Sequence, residues 1–148
     1  AAVTRVGFGK TDVVQMLNGC IGGLVAITAE PLMPSPLSAI LIGGVGGVIV
    51  VYGTKLLFSL KIDDVVGAIP AHLFAGIWGT LAVPITNPDT AFGTQLIGVV
   101  SINIFVFVVA LIVWSAMKAT IGIRLSKEGE TKGTDVTETG VIAYAIRD

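Results

Sequence analysis

Four long stretches of this sequence carry almost no charged residues, and this feature constrains the fold more than any other. A helix that spans a membrane needs about 20 mostly apolar residues to cross a hydrocarbon core of about 30 Å. Charged residues make up only 13% of the chain. This is too little charge to coat a water-soluble globule, since an average soluble chain is about 25% charged. The sequence therefore predicts an all-α integral membrane protein with four transmembrane helices, at about residues 13–29, 36–60, 65–85 and 94–117.

The chain becomes polar after the fourth stretch. Charged residues alternate with glycine and threonine from Lys127 onward, a composition that cannot build a core by itself. We therefore divide the chain into a membrane portion, residues 1–125, and an aqueous tail, residues 126–148. Apolar tail residues are expected to dock on a neighbouring surface, although an idle, solvated tail is the alternative. These residues are Val136, Val141, Ile142, Tyr144 and Ile146.

Every basic residue falls on one side of the membrane if all four stretches span it. Four spans place both ends and the second connection on the same side. That side holds all nine Lys and Arg residues, whereas the other two connections carry Glu30 and Asp89. Because basic residues favour the cytoplasmic side, both ends are predicted to be cytoplasmic. The basic residues are Arg5, Lys10, Lys55, Lys61, Lys118, Arg124, Lys127, Lys132 and Arg147.

The few reactive side chains disfavour several classes of function. Cys20 is the only cysteine, which excludes an intrachain disulfide framework and a cysteine metal cluster. His72 is the only histidine, and a zinc ion needs several such ligands, so we expect neither a metal nor a cofactor. No Ser-His-acid constellation accompanies His72, which makes an enzyme the least favoured class. The net charge of −1 gives no reason to expect nucleic acid as a partner.

Small and polar residues in the first two spans are typical of helix packing in lipid. Glycines spaced four residues apart let two helix backbones approach closely, and this interpretation is favoured over a role in lining a substrate path. Gln15 and Asn18 are expected to hydrogen-bond to neighbouring helices. The spaced glycine pairs are Gly19 with Gly23, and Gly43 with Gly47.

His72 is the residue most suited to carry function. It lies in the third span, roughly 11 Å from the cytoplasmic end at 1.5 Å per residue, and an ionisable group at that depth indicates a functional site. Treated as a regular α-helix, the span places Ala68, Ala75, Gly76 and Gly79 on the same face. Their small size predicts free volume beside the imidazole, as a substrate pathway needs. The alternative is a histidine that hydrogen-bonds across a helix interface and only holds two spans together.

The residues before His72 predict a modified helix start. Pro70 has no N–H and cannot donate to the carbonyl of Val66, so we expect a kink or a freed acceptor there. Asp63 and Asp64 stand where the third span opens, and a carboxylate at that position can accept hydrogen bonds from the first free N–H groups of the helix. Both residues are therefore assigned a capping role.

This sequence resembles the ammonium transporter family (Amt/Mep/Rh). The run DDVVGAIPAHLFAGIWGTLA at residues 63–82 is similar to the family's signature around a pore histidine. The segments LNG at 17–19 and GLVAITA at 23–29 resemble an earlier helix of the family, and residues 130–144 its cytoplasmic C-terminal region. Two positions depart from the family pattern: Leu73 stands where a glycine is common, and Thr139 where a histidine is common.

The resemblance implies a fold and an assembly. Members have about eleven spans built as inverted repeats and form homotrimers in which each protomer has its own pore. The chain would then be the last four spans and the tail, a piece of a longer protein, as its lack of an initiator Met also indicates. His72 matches the second of two adjacent pore histidines. A bacterial inner membrane and a PII-type signal protein at the cytoplasmic face follow from the same resemblance.

The resemblance also implies a function, which is transport of ammonium or ammonia through the lipid bilayer. An apolar pore makes a bare cation expensive but admits neutral ammonia, so ammonium would be deprotonated before ammonia passes His72. The substrate pathway is assigned to His72, Ala68, Ala75 and Gly76. The alternatives are a membrane sensor or structural subunit in which His72 only packs helices, and another secondary transporter that uses His72 as a proton relay.

Overall fold

The described part of the protein is entirely helical. The computed structural model describes residues 1–30, 32 and 34–142. Helices α1 to α6 cover Ala2–Phe8, Val13–Ile27, Pro36–Ser59, Ala75–Thr86, Phe92–Thr120 and Lys127–Lys132. A first π-helical turn, Ile69–Phe74, runs directly into α4, and a second one, Asp135–Thr139, follows α6. The chain forms two compact units, residues 1–103 and 104–148.

Among the described residues, three helices are long and apolar enough to cross a membrane: Pro36–Ser59, Ile69–Thr86 and Phe92–Thr120. The first predicted span forms α2, an apolar helix of only 15 residues, which reaches about 22 Å at 1.5 Å per residue. The crossing by α2, and with it the count of four spans, therefore stays a prediction. The third span begins at Ile69 and not at residue 65.

Local capping sets where the first two apolar helices begin. The Asp12 carboxylate accepts a hydrogen bond from the backbone N–H of Gln15 at 3.0 Å. Before α3, the Ser35 hydroxyl accepts from the N–H of Ser38 at 3.2 Å, and Pro36 occupies the first turn. Proline suits that position because the first N–H of a helix has no acceptor within it. Both helices thus start at residues that their sequence favours.

Close packing of α2 against α3 forms the centre of the first unit. A Cβ atom on Gly23 would lie 3.1 Å from the carbonyl oxygen of Gly43, and one on Gly47 would lie 3.1 Å from that of Gly19. The predicted packing of these glycine pairs is therefore confirmed. Trp78 from α4 completes the layer at one end, where its indole Nε1 donates to the carbonyl of Ile42 at 3.0 Å.

The predicted aqueous tail contains short helical segments of its own. The Ser126 hydroxyl caps α6 by accepting from the N–H of Gly129 at 3.1 Å. Thr137 in the second π-turn donates to the carbonyl of Gly129 at 3.3 Å, which ties the two segments together. The guanidinium of Arg124 pairs with the carboxylate of Glu130. Of the tail residues expected to dock, Tyr144 and Ile146 lie outside the described residues.

Candidate functional site

His72 lies in the first π-turn, with its side chain exposed at an open groove of about 180 Å³. The first π-turn and α4 form one wall, and the first part of α5 forms the other. Apart from His72, the lining has no ionisable side chain. The lining residues are His72, Leu73, Gly76, Ile77, Thr80, Val99 and Asn103.

The π-turn decides which residues flank the imidazole. The N–H of Ala75 donates to the carbonyl of Pro70, five residues earlier. In this wider turn, residues four and five apart lie over one another, whereas residues three apart are rotated away from each other. Gly76 consequently shares the groove with His72, while Ala75 is turned into the interior and is 0% exposed.

The prediction that Ala75 and Gly79 lie beside His72 is wrong, because it assumed a regular α-helix. Ala75 is buried in a cluster with Val50 and Ala71. Gly79 is buried against α2, where an added Cβ would overlap the backbone of Ala26. Ala68 immediately precedes the π-turn and is exposed outside the groove lining.

The segment before the π-turn is held by Asp64. Its two carboxylate oxygens accept from the N–H of Ala68 at 2.9 Å and from that of Ile69 at 2.8 Å. These are N–H groups that open the helix and have no acceptor within it. Asp63 is exposed, one residue before this cap. Asp64 thus fixes where the helix that carries His72 begins.

Asn18 of α2 holds the same segment from the opposite side. Its side-chain Nδ2 donates to the carbonyl of Val66 at 2.8 Å. Val66 precedes the helix that begins at Ile69, and its carbonyl, to which Pro70 offers no N–H, accepts from Asn18. Pro70 itself stands in the first turn of that helix, where a missing N–H is tolerated. The expectation that Asn18 and Gln15 bond to neighbouring elements is confirmed, since Gln15 accepts from the Thr54 hydroxyl on α3 at 3.0 Å.

Thr80 and Asn103 are polar residues of the groove that sequence reasoning missed. The Thr80 hydroxyl donates to the carbonyl of Gly76 at 2.9 Å, and Asn103 Nδ2 donates to that of Val99 at 2.7 Å. Each side chain thus bonds to its own helix, which lowers the cost of placing it in an apolar span. An amide inside the most apolar stretch was a signal that could have identified Asn103.

Comparison with known proteins decides the family of this chain. The sequence model of the Ammonium Transporter Family matches residues 1–144. The chain belongs to the ammonium transporter family. Ammonium transporter Amt2 of Archaeoglobus fulgidus is 37% identical over 97% of this chain, and Amt1 of Haloferax mediterranei is 36% identical over 92%. The ammonium transporter of Bacillus subtilis is 29% identical over 91%.

The chain spans only part of these ammonium transporters. The matches cover 35%, 27% and 37% of the Archaeoglobus, Haloferax and Bacillus proteins respectively. Members of the ammonium transporter family are transporters and not enzymes. Together with the three apolar helices of crossing length, membership makes this chain part of an integral membrane protein.

The chain also has a charged cavity, at the N-terminal end of the π-turn. This open cavity, of about 490 Å³, is bordered by Lys10, Asp12, Asp63 and Asp64. Charged side chains belong at the membrane surface because their burial in hydrocarbon is costly. The helical segment that carries His72 therefore starts at a charged cavity. His72 itself lies in a groove in which it is the only ionisable group. Among the described residues, no group of three His, Cys, Asp or Glu could hold a metal ion.

Proposed function

We propose that the complete protein transports ammonium by conducting ammonia past His72. The observation that carries this proposal is the position of His72 as the only ionisable side chain in a groove between two membrane-length helices, in a chain of the ammonium transporter family. An ammonium ion would have to lose its hydration in such a groove at high cost, whereas neutral ammonia would enter at much lower cost. Ammonium therefore gives up a proton before ammonia enters the groove, and ammonia takes up a proton on the other side.

The imidazole suits a path for ammonia. A neutral imidazole carries one N–H donor and one nitrogen acceptor, and ammonia both donates and accepts hydrogen bonds. The alternative, a sensor or structural subunit in which His72 only packs helices, is disfavoured because the side chain is exposed at the groove. Of the other three residues assigned to the pathway, Gly76 lines this groove with His72, whereas Ala68 and Ala75 do not.

The finer features of the proposal rest on the family resemblance and on the charge distribution. We assign four spans with both ends in the cytoplasm, because all nine basic residues then lie on the cytoplasmic side. A second histidine from the part of the protein upstream of this chain pairs with His72 in the pore. The protein assembles as a homotrimer for nitrogen uptake in a bacterial inner membrane, with a PII-type signal protein at its cytoplasmic face.

Replacement of His72 in the complete transporter tests the proposal. His72→Ala should abolish selective uptake of methylammonium and ammonium while the protein remains inserted, because the imidazole is exposed and is not part of the buried clusters of the described residues. The matched control is Phe107→Ala, which shortens an exposed side chain of α5 that is outside the groove. Uptake is measured per amount of protein in the membrane. Normal selective uptake by a well-expressed His72→Ala variant would exclude His72 from the pathway.

A further inference from the structure

The backbone just before His72 is hydrogen-bonded to a buried amide of another helix. Asn18 is 8% exposed, and its Nδ2 reaches the Val66 carbonyl across 48 positions of sequence. Val66 precedes the helix that begins at Ile69, so its carbonyl has no partner within that helix, and the Asn18 side chain supplies its hydrogen bond.

The contact between Asn18 and this segment is also sterically tight. Gly67 has a φ of +75°, a left-handed conformation that favours glycine. A Cβ atom at Gly67 would overlap the Asn18 amide nitrogen, so the amide rests directly against the backbone of Gly67. On the far side of Gly67, Asp64 holds the N–H groups of Ala68 and Ile69. The segment therefore has little freedom to shift while Asn18 is in place.

Gly67 is linked to the residue next to His72. The N–H of Ala71 donates to the Gly67 carbonyl at 3.2 Å, which closes the backbone turn immediately before His72. A displacement of the Val66–Gly67 peptide would consequently move Ala71, and His72 with it. Ala71 is itself 2% exposed and packed with Val50 and Ala75. A shift of Ala71 would therefore disturb this cluster and move the adjacent imidazole.

We propose that Asn18 is a positioning residue for His72, and that it sets ammonium selectivity by holding the Val66–Gly67 peptide. The inference rests on the proposed role of His72 in the pathway. Asn18 does not border the groove, so it acts through the backbone and not by touching the substrate. Its loss should therefore misplace the imidazole and leave the groove's other side chains unchanged.

Two substitutions in the complete transporter remove the Asn18 donor. Asn18→Leu keeps the approximate volume, and Asn18→Asp keeps the shape but presents an oxygen to the Val66 carbonyl. The matched control is Gln15→Leu, which also removes a buried amide of α2 that bonds to another helix. The hydrogen bond of Gln15 is to Thr54 on α3 and not to the segment before His72. A loss that all three variants share reports on folding alone.

The measurements are methylammonium uptake, potassium leak and the pH profile of uptake, each per amount of inserted protein. Both Asn18 variants should lower the ratio of methylammonium uptake to potassium leak about tenfold, the size of one typical coupling between contacting residues, and shift the pH profile. Gln15→Leu should change neither.

Each other outcome overturns the inference. If the Asn18 variants behave like Gln15→Leu, Asn18 is only a packing residue, and the role of His72 is unaffected. If His72→Ala alone keeps selective uptake, the proposed function fails first, which separates that failure from a failure of the positioning role.

Discussion

At the scale of single residues, the π-turn explains the geometry around His72. Pro70 stands in its first turn, where proline is tolerated because its missing N–H would have no acceptor within the helix. π-turns in helices often accompany functional sites. Here the π-turn brings Gly76 and not Ala75 to the side of the imidazole.

Gly67 should tolerate no side chain. Gly67→Ala places a methyl group on a backbone with φ +75° and against the Asn18 amide, which we expect to cost about 1–3 kcal/mol. The measurement is the thermal stability of the complete protein in detergent. Gly98→Ala is the control, because Gly98 lies in α5 with no atom within 4 Å of its added Cβ, and it should be neutral or slightly stabilising. Equal stability of the two variants would contradict the strain at Gly67.

At the scale of elements, the approach of α2 to α3 supplies the rigid frame behind the π-turn. Gly46 is the tightest point of this contact on α3: an added Cβ would lie 2.7 Å from the Cβ of Ala26 and 2.8 Å from the carbonyl oxygen of Gly22. Backbone atoms cannot move aside as a flexible side chain can. The two helices would have to separate to admit even one methyl group, and the residues that hold the π-turn would separate with them.

Gly46→Ala should therefore destabilise the protein, by about 1–3 kcal/mol, as expected for overpacking of a tight contact. Gly44→Ala lies on the same helix, two residues away, where an added Cβ meets nothing within 4 Å. Gly44→Ala should not destabilise the protein. The stabilities of the two variants are compared by thermal or denaturant unfolding in detergent. A destabilisation of the same size at Gly44 would show that the contact of Gly46 with α2 does not decide the effect.

The tail elements are sensitive to acid through one ion pair. Hydrogen bonds from the Arg124 guanidinium lower the pKa of Glu130, and the same contact raises the pKa of Arg124. Because the pKa of Glu130 is lower in the folded tail than in the unfolded chain, the stabilisation is present above the ordinary carboxyl pKa and is lost as pH falls through the folded value. Both side chains are partly or largely exposed, so salt screens the pair and the effect is small.

Amide hydrogen exchange of residues 127–132 measures this acid sensitivity, after correction for the intrinsic effect of pH. We expect protection to be constant near neutral pH and to fall in acid. Glu130→Gln should lower protection at neutral pH and remove the acid dependence, whereas the control Lys132→Gln breaks only the exposed pair with Glu128 and should retain it. An unchanged acid response in Glu130→Gln would exclude this ion pair as the cause.

At the scale of the whole molecule, the one-sided distribution of basic residues predicts the orientation in the membrane. Lys55 and Lys118 lie near the C-terminal ends of α3 and α5, and the other seven lie towards the two ends of the chain or in the connection after α3. All nine share one side if α2 also crosses. Lys61 should face the cytoplasm and Asp89 the outside. The side of the N-terminal end depends on α2, since with three crossings the two ends would lie on opposite sides.

Labelling of single cysteines with an impermeant maleimide checks this orientation. Cys20 is exposed and is first replaced by Ser in the complete protein. A cysteine at position 89 should react in intact cells, whereas one at position 61 should react only after the membrane is opened. Reaction of position 61 from outside would show that the orientation is inverted.

The sequence alone determined the class of the protein, the positions of its long apolar helices and the contact between its glycine-bearing helices. Those features follow from composition and from short, regular spacings within one segment. Only the tertiary structure decided that Asn18 donates to the Val66 carbonyl, that Ala75 is turned away from His72, and that Asn103 lines the groove. The physical reason is that a π-turn breaks the helical period on which face assignments rest, and that a hydrogen bond across 48 residues depends on how the helices pack together.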